Sequence, residues 1–79
     1  MKARIYVTLK KGVLDPQGKA VVGALHSMSF NEVKDLRIGK YMEVELDASS
    51  KETEEVRLRE MCEKLLANTV IENYRIEMD

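Results

Sequence analysis

The chain has one cysteine, one histidine, one proline, one phenylalanine and no tryptophan. A single cysteine, Cys62, excludes an internal disulfide and any multi-cysteine metal site. No charge of either sign dominates: 13 basic and 14 acidic residues leave a net charge of −1. Without a basic excess there is little to hold a phosphate backbone, so no nucleic-acid partner is expected. No apolar run approaches the roughly 18 residues that a membrane span needs, so no membrane role is expected either. The opening residues Met1-Lys2-Ala3-Arg4-Ile5-Tyr6 alternate polar and apolar and build no apolar signal core, which points to a cytoplasmic chain. What is present is an ordinary globular mixture, 44% hydrophobic and 34% charged over 79 residues. That is too apolar for a disordered chain and enough for one small domain. A domain of this size buries only about 60% of its unfolded surface, so its core is thin. Stability is then expected to lean on a partner or on self-association.

The hydrophobic period changes along the chain, and each change marks an element. Ala3, Ile5, Val7 and Leu9 fall on one face, while Lys2, Arg4, Tyr6, Thr8 and Lys10 fall on the other, which predicts a half-buried strand ending at Lys11-Gly12. Asp15-Pro16 predicts a helix start: Asp15 can accept an orphan backbone N–H, and the donor that Pro16 lacks is not needed at a first helical position. Val21, Ala24, Leu25 and Met28 form its apolar stripe, and the helix should end near Ser27 to Ser29. From Val33 to Asp47 the period returns to two, with Leu36, Ile38, Met42, Val44 and Leu46 in one phase. A two-residue hairpin at Gly39-Lys40 would put Leu36 and Ile38 on the wrong face. Two forms remain open, one long strand bent at Gly39 or a hairpin with an odd-length loop.

Ser49 with Glu52 matches a capping box and predicts a second helix. Its buried stripe is read as Val56, Leu58, Met61, Cys62, Leu65 and Leu66, with Glu55–Arg59 and Glu60–Lys64 as (i, i+4) pairs on the wet side. Asn68 suits a helix stop. The tail alternates again through Tyr74, Ile76 and Met78. The expected class is α+β: an antiparallel sheet with two helices packed on one face, β-α-β(β)-α-β, as in ferredoxin-like folds. The other sheet face would carry Arg4, Tyr6, Thr8, Asp35, Arg37, Tyr41, Glu43 and Glu45. Its two tyrosines and the small core favour a subunit interface over a merely solvated face.

A search for chemistry finds none that stands out. His26 would need an orienting partner and a nucleophile to act as a base, and it reads as a structural residue flanking the stripe. Cys62 sits inside an apolar stripe, unlike a reactive thiol, which wants exposure and positive neighbours. Gly12, Gly18, Gly23 and Gly39 match neither dinucleotide nor phosphate-loop spacing. Arg37, Gly39 and Lys40 could form a small anion-binding turn, but turn geometry with a charged rim is the better account of them. The acidic residues lie mostly on the wet face of the second helix, and none has metal-ligand spacing. Tyr6 and Tyr41 are the only stacking candidates for an RNA-binding plait, and the basic Gly-aromatic signature is absent.

Three stretches taken together resemble one family. They are Val7-Thr8-Leu9-Lys10 with Val13-Leu14-Asp15-Pro16-Gln17-Gly18, Ala20-Val21 and Ala24-Leu25; then Val33 to Tyr41, read VKDLRIGKY; then Met61 to Tyr74, read MCEKLLANTVIENY. In this order they resemble PurS, the small accessory subunit of phosphoribosylformylglycinamidine (FGAM) synthase, over nearly the whole of residues 1–79. The resemblance implies a single PurS-like domain with no catalytic, cofactor or metal site of its own. It implies a complex that converts formylglycinamide ribonucleotide to formylglycinamidine ribonucleotide. ATP and glutamine would be used by that complex, with a PurQ-type glutaminase releasing ammonia and a PurL-type synthetase activating the substrate amide. PurS-like subunits are expected to dimerise or assemble further, to bridge those partners, and to aid ammonia transfer between them.

Interface candidates follow from chemistry. Arg37 and Lys40 are rim charges that can fix register, and Tyr6 and Tyr41 are sheet-face contacts. Asp15, Pro16 and Gly18 are read first as helix-start geometry, as Asn68 is read as a helix stop. Two rival readings share the expected topology or length: a metabolite-sensing regulatory domain of the ACT type, and a small independent enzyme using His26 or Cys62.

Overall fold

The computed structural model describes residues 1–47 and 50–79. Strand β1 (Lys2–Leu9) leads to helix α1 (Pro16–Ser27), strand β2 (Lys40–Glu45), helix α2 (Lys51–Met61), a π-helical turn (Cys62–Leu66) and strand β3 (Glu72–Met78). The three strands form one antiparallel sheet in the order β2-β1-β3. The α+β class, the antiparallel sheet and the two helices are those expected from the sequence.

The core is built on β1. Ala3, Ile5 and Val7 are buried beneath Leu58 and Cys62 of α2 and its turn, and beneath Ala67. Met42, Val44 and Leu46 on one side and Tyr74, Ile76 and Met78 on the other extend this layer as half-buried residues. The period-two reading of all three strands is therefore the observed one.

The α2 stripe differs from expectation at two positions. Leu58 and Cys62 are fully buried, but Val56 is 62% exposed and Leu65 83% exposed. Val56 lies two residues before Leu58, roughly 200° round the helix, so the two cannot share a face. Leu65 would have returned to the buried side in a regular α-helix. The π turn, closed by Ala67 N–H donating to the Cys62 carbonyl at 3.0 Å, instead brings Ala67 under the sheet and turns Leu65 outward. The capping box expected at Ser49 lies outside the described residues; Ser50 supplies the cap seen, its hydroxyl accepting from the Thr53 N–H at 3.4 Å. Both (i, i+4) pairs form, each at 3.6 Å. Asn68 ends the segment as expected, its carbonyl accepting from Ile71 and Glu72.

Helix α1 begins where predicted, with the Asp15 carboxylate accepting from the Gly18 N–H at 2.8 Å, and ends at Ser27. It does not join α2 on the sheet, as the two-helices-on-one-face reading required. A three-stranded sheet is only about 10 Å between its outer strands, the width of one helix, so a second helix would need a fourth strand. No such strand is formed among the described residues. Residues 33–39 are neither the bent continuation of β2 nor the arm of a hairpin; they belong to no strand, and β2 starts at Lys40. Gly39 makes the entry possible, because a Cβ there would collide with the Val7 carbonyl oxygen.

Helix α1 is instead braced against this returning segment, and the two make an arm. A second oxygen of Asp15 accepts from the Ile38 N–H at 2.7 Å, and His26 Nε2 lies 2.7 Å from the Val33 carbonyl. A Cβ on Gly18 would strike the Leu36 carbonyl, so the close approach requires glycine. The predicted stripe faces outward in part, with Val21 37% and Met28 66% exposed. The arm accounts for the elongated shape. The longest dimension is 50 Å, against roughly 26 Å for an eight-residue strand. The radius of gyration is 16.1 Å, where a compact chain of this length has about 12 Å.

The rotation imposed by the π turn is testable. Leu58→Ala should cost about 2–5 kcal/mol, as a fully buried leucine does. Leu65→Ala, seven residues later, should change stability by no more than about 0.5 kcal/mol. Urea denaturation of the two variants checks the difference; equal losses would mean that Leu65 is in the core.

Candidate functional site

The open face of the sheet is built by register. Tyr6 on β1 stands opposite Tyr41 on β2 and Arg75 on β3. The two rings lie 5.1 Å apart at 45°, and the Arg75 guanidinium sits 4.1 Å above the Tyr6 ring. This row of cation, ring and ring crosses the whole sheet. Glu77 gathers the charges beside it, accepting from the Tyr6 hydroxyl at 3.1 Å, Arg4 at 3.3 Å and Arg75 at 2.7 Å. Those three hydrogen bonds, Arg75 foremost, hold its carboxyl below the usual range. Arg4 also donates to Asp79 at 2.9 Å. On β2, Glu43 accepts from the Tyr41 hydroxyl at 3.0 Å and pairs with Lys2 at 3.4 Å, which lowers its carboxyl likewise. The Tyr41 hydroxyl is pushed up, first by desolvation and then by Glu43.

The four interface candidates are thus placed in three different surroundings. Tyr6 and Tyr41 meet, as the alternation allowed. Arg37 is not on the sheet. It roots the arm, donating to the Lys10 carbonyl at 3.1 Å and the Val13 carbonyl at 2.7 Å. Lys40 lies on the helix-bearing side, 3.6 Å from Glu72. The two cations are engaged separately, and Asp35 contributes to the arm through a bond to the Leu36 N–H.

Other candidate groups are held structurally. His26 braces the arm. Cys62 is fully buried, and desolvation followed by the neighbouring Glu63 raises its thiol pKa, which suppresses the thiolate. Among the described residues no cluster of three or more His, Cys, Asp or Glu could hold a metal ion. No helix of the described residues is long and apolar enough to cross a membrane. Two features went unread in the sequence. The double use of Asp15, which caps α1 and fixes Ile38, needs long-range geometry and has no sequence signal. Arg75 had one, since the alternation of Tyr74, Ile76 and Met78 puts Arg75 and Glu77 on the face of Tyr6.

A narrow one-helix sheet, a projecting arm and a polar face whose charges satisfy one another define a small α+β domain. The family model described as PurS, phosphoribosylformylglycinamidine (FGAM) synthase, matches residues 2–79. The PurS subunit of Bacillus subtilis is 60% identical over 78 residues, covering 99% of this chain and 92% of that protein. The PurS subunit of Archaeoglobus fulgidus is 45% identical, covering 96% and 95%. Solved structures agree. The crystal structure of B. subtilis PurS superposes with a TM-score of 0.87 at 62% identity, covering 96% of this chain and 94% of that one. A chain in the structure of PurLQS from Thermotoga maritima does so with 0.87 at 34% identity, covering 96% and 93%. The chain belongs to the PurS family.

The face titrates with a definite sign. Glu77 and Glu43 have lowered folded-state pKa values, so their contribution is complete above the unfolded value of about 4.3. It is lost as pH falls through the folded values. Glu77→Gln should therefore be less stable than the parent at pH 7, with the gap closing below about pH 4. Urea denaturation as a function of pH checks this; a gap that widens in acid would contradict the assignment.

Proposed function

We propose that this chain is a non-catalytic subunit of an FGAM synthase complex in purine biosynthesis. It joins a PurQ-type glutaminase to a PurL-type synthetase and aids the transfer of ammonia between them. The observation that carries this reading is the match to a chain of the T. maritima PurLQS structure over 96% of the residues. The chain itself binds no cofactor in this reading; ATP and glutamine are used by the partners in the cytoplasm. Self-association, as a homodimer or higher assembly, is part of it. Exposed apolar residues on the arm support that part: Leu14 at 61%, Met28 at 66% and Phe30 at 46% exposed. The tilted ring pair Tyr6–Tyr41 and the rim charges Arg37 and Lys40 are the groups proposed to meet other subunits.

Reconstitution tests the proposal. PurL- and PurQ-type subunits from the same source, with glutamine and ATP, should make FGAM only when this chain is added. Ammonia-dependent synthesis by the synthetase subunit alone should persist without it. If glutamine-dependent synthesis proceeds equally with and without the chain, the bridging role is wrong.

A further inference from the structure

Strand β3 is an edge strand, and its outward hydrogen-bonding groups can be assigned. The Lys10 N–H donates to the Ile71 carbonyl at 2.9 Å, and the Asp79 N–H donates to the Lys2 carbonyl at 3.3 Å. Between these two bonds the register holds, so the odd-numbered residues of β3 bond to β1. The even-numbered residues Tyr74, Ile76 and Met78 therefore direct their backbone N–H and C=O groups away from β1. Their side chains lie on the helix-bearing side, packed against the core.

Beside this edge runs an open groove of about 700 Å³ between α2 and β3. Val56 and Tyr74 supply apolar surface, and Val56 is 62% exposed. The rim carries four carboxylates, Glu52, Glu55, Glu60 and Glu63, against two cations, Arg59 and Lys64. Both cations are already paired along the helix, Arg59 with Glu55 and Lys64 with Glu60. The groove is acidic, and Tyr74 of the edge strand closes its β3 side. Helix α2 leans toward this side of the sheet, packing chiefly against β3.

We propose that this groove docks an extended, basic segment of a partner subunit, added to β3 as a fourth strand. The proposal rests on the subunit role given above. Main-chain bonds to Tyr74, Ile76 and Met78 supply the register, and alternate side chains reach into the groove. An aliphatic side chain covers Val56 and the Tyr74 ring, and lysine or arginine side chains at alternate positions face the carboxylate rim.

Residue-resolved hydrogen exchange tests it, on the full chain at fixed concentration, alone and with the PurL- and PurQ-type subunits under reconstituting conditions. The amides of Tyr74, Ile76 and Met78 should exchange fast in the free chain and at least about tenfold slower in the complex. Glu52→Gln with Glu60→Gln, both exposed, should leave the unfolding transition in place. The pair should weaken complex formation about fivefold to tenfold and flatten its salt dependence. A complex that forms while the three amides stay fast, with protection only on the arm or the β2 edge, overturns the docking site and leaves the subunit role standing. Protection that appears on concentrating the chain alone makes the occupant a second copy and also overturns it. Failure to form any complex removes both readings.

Discussion

Strand β1 is the one strand with neighbours on both edges, and the rest of the molecule follows from its position. Its odd residues carry the core, and its even residues carry the exposed face. With only β2 and β3 beside it, the sheet is about as wide as one helix. Helix α2 fills that width through Leu58 and Cys62, and nothing of the inner face remains for α1. The chain keeps α1 ordered by other means: a short return segment and Asp15, which accepts from Gly18 and Ile38 together. The arm is thus held by polar bonds to backbone groups, whereas the body is held by apolar burial.

This division explains what could be read before the structure was known. Periodicity reports which residues share a face, and it placed Ala3, Ile5, Val7, Leu58 and Cys62 correctly. It does not report how many strands a sheet has. The phase of Leu36 and Ile38 matched that of Met42 and Val44, yet residues 33–39 form no strand. Nor can it see a π turn, because one extra residue in a turn leaves no mark on composition while moving Leu65 from inside to outside. The candidate site divides along the same line. Tyr6 and Tyr41 meet because strand register brings them together, and alternation is legible. Arg37 and Lys40 lie on the approach to β2, where the path of the chain and not its period decides which carbonyls and carboxylates they reach.

The motif Asp15-Pro16-Gln17-Gly18, which contributed to the family resemblance, has a physical reading in this geometry. Pro16 starts the helix, Asp15 caps it and ties it to Ile38, and Gly18 lets the Leu36 carbonyl come close. Each residue serves the joint between α1 and the return segment. Arg37 reinforces the same joint from the other side through the Lys10 and Val13 carbonyls. The run is therefore a structural joint, as its reading as helix-start geometry implied, and no substrate contact is needed to account for its residue types.

The polar face and the apolar arm make different demands on an assembly. On the face, Arg4, Arg75, Glu77, Tyr6, Tyr41 and Glu43 already satisfy one another, so a subunit that meets the Tyr6 and Tyr41 rings must leave those charge pairs intact or desolvate them. The arm and the α2 end expose Met28, Phe30, Leu65 and Val70 without such compensation. Covering apolar surface is favourable at roughly 25 cal/mol per Å², so closing on those residues adds to any contact made through the rings of the sheet face. Any copy or partner that binds there binds only the folded chain, and mass action then adds to the stability of a domain whose own core is small. A partner closing on the arm would thus couple folding to assembly, and the thin core of a one-helix sheet sets how large a share of the total stability that contribution makes.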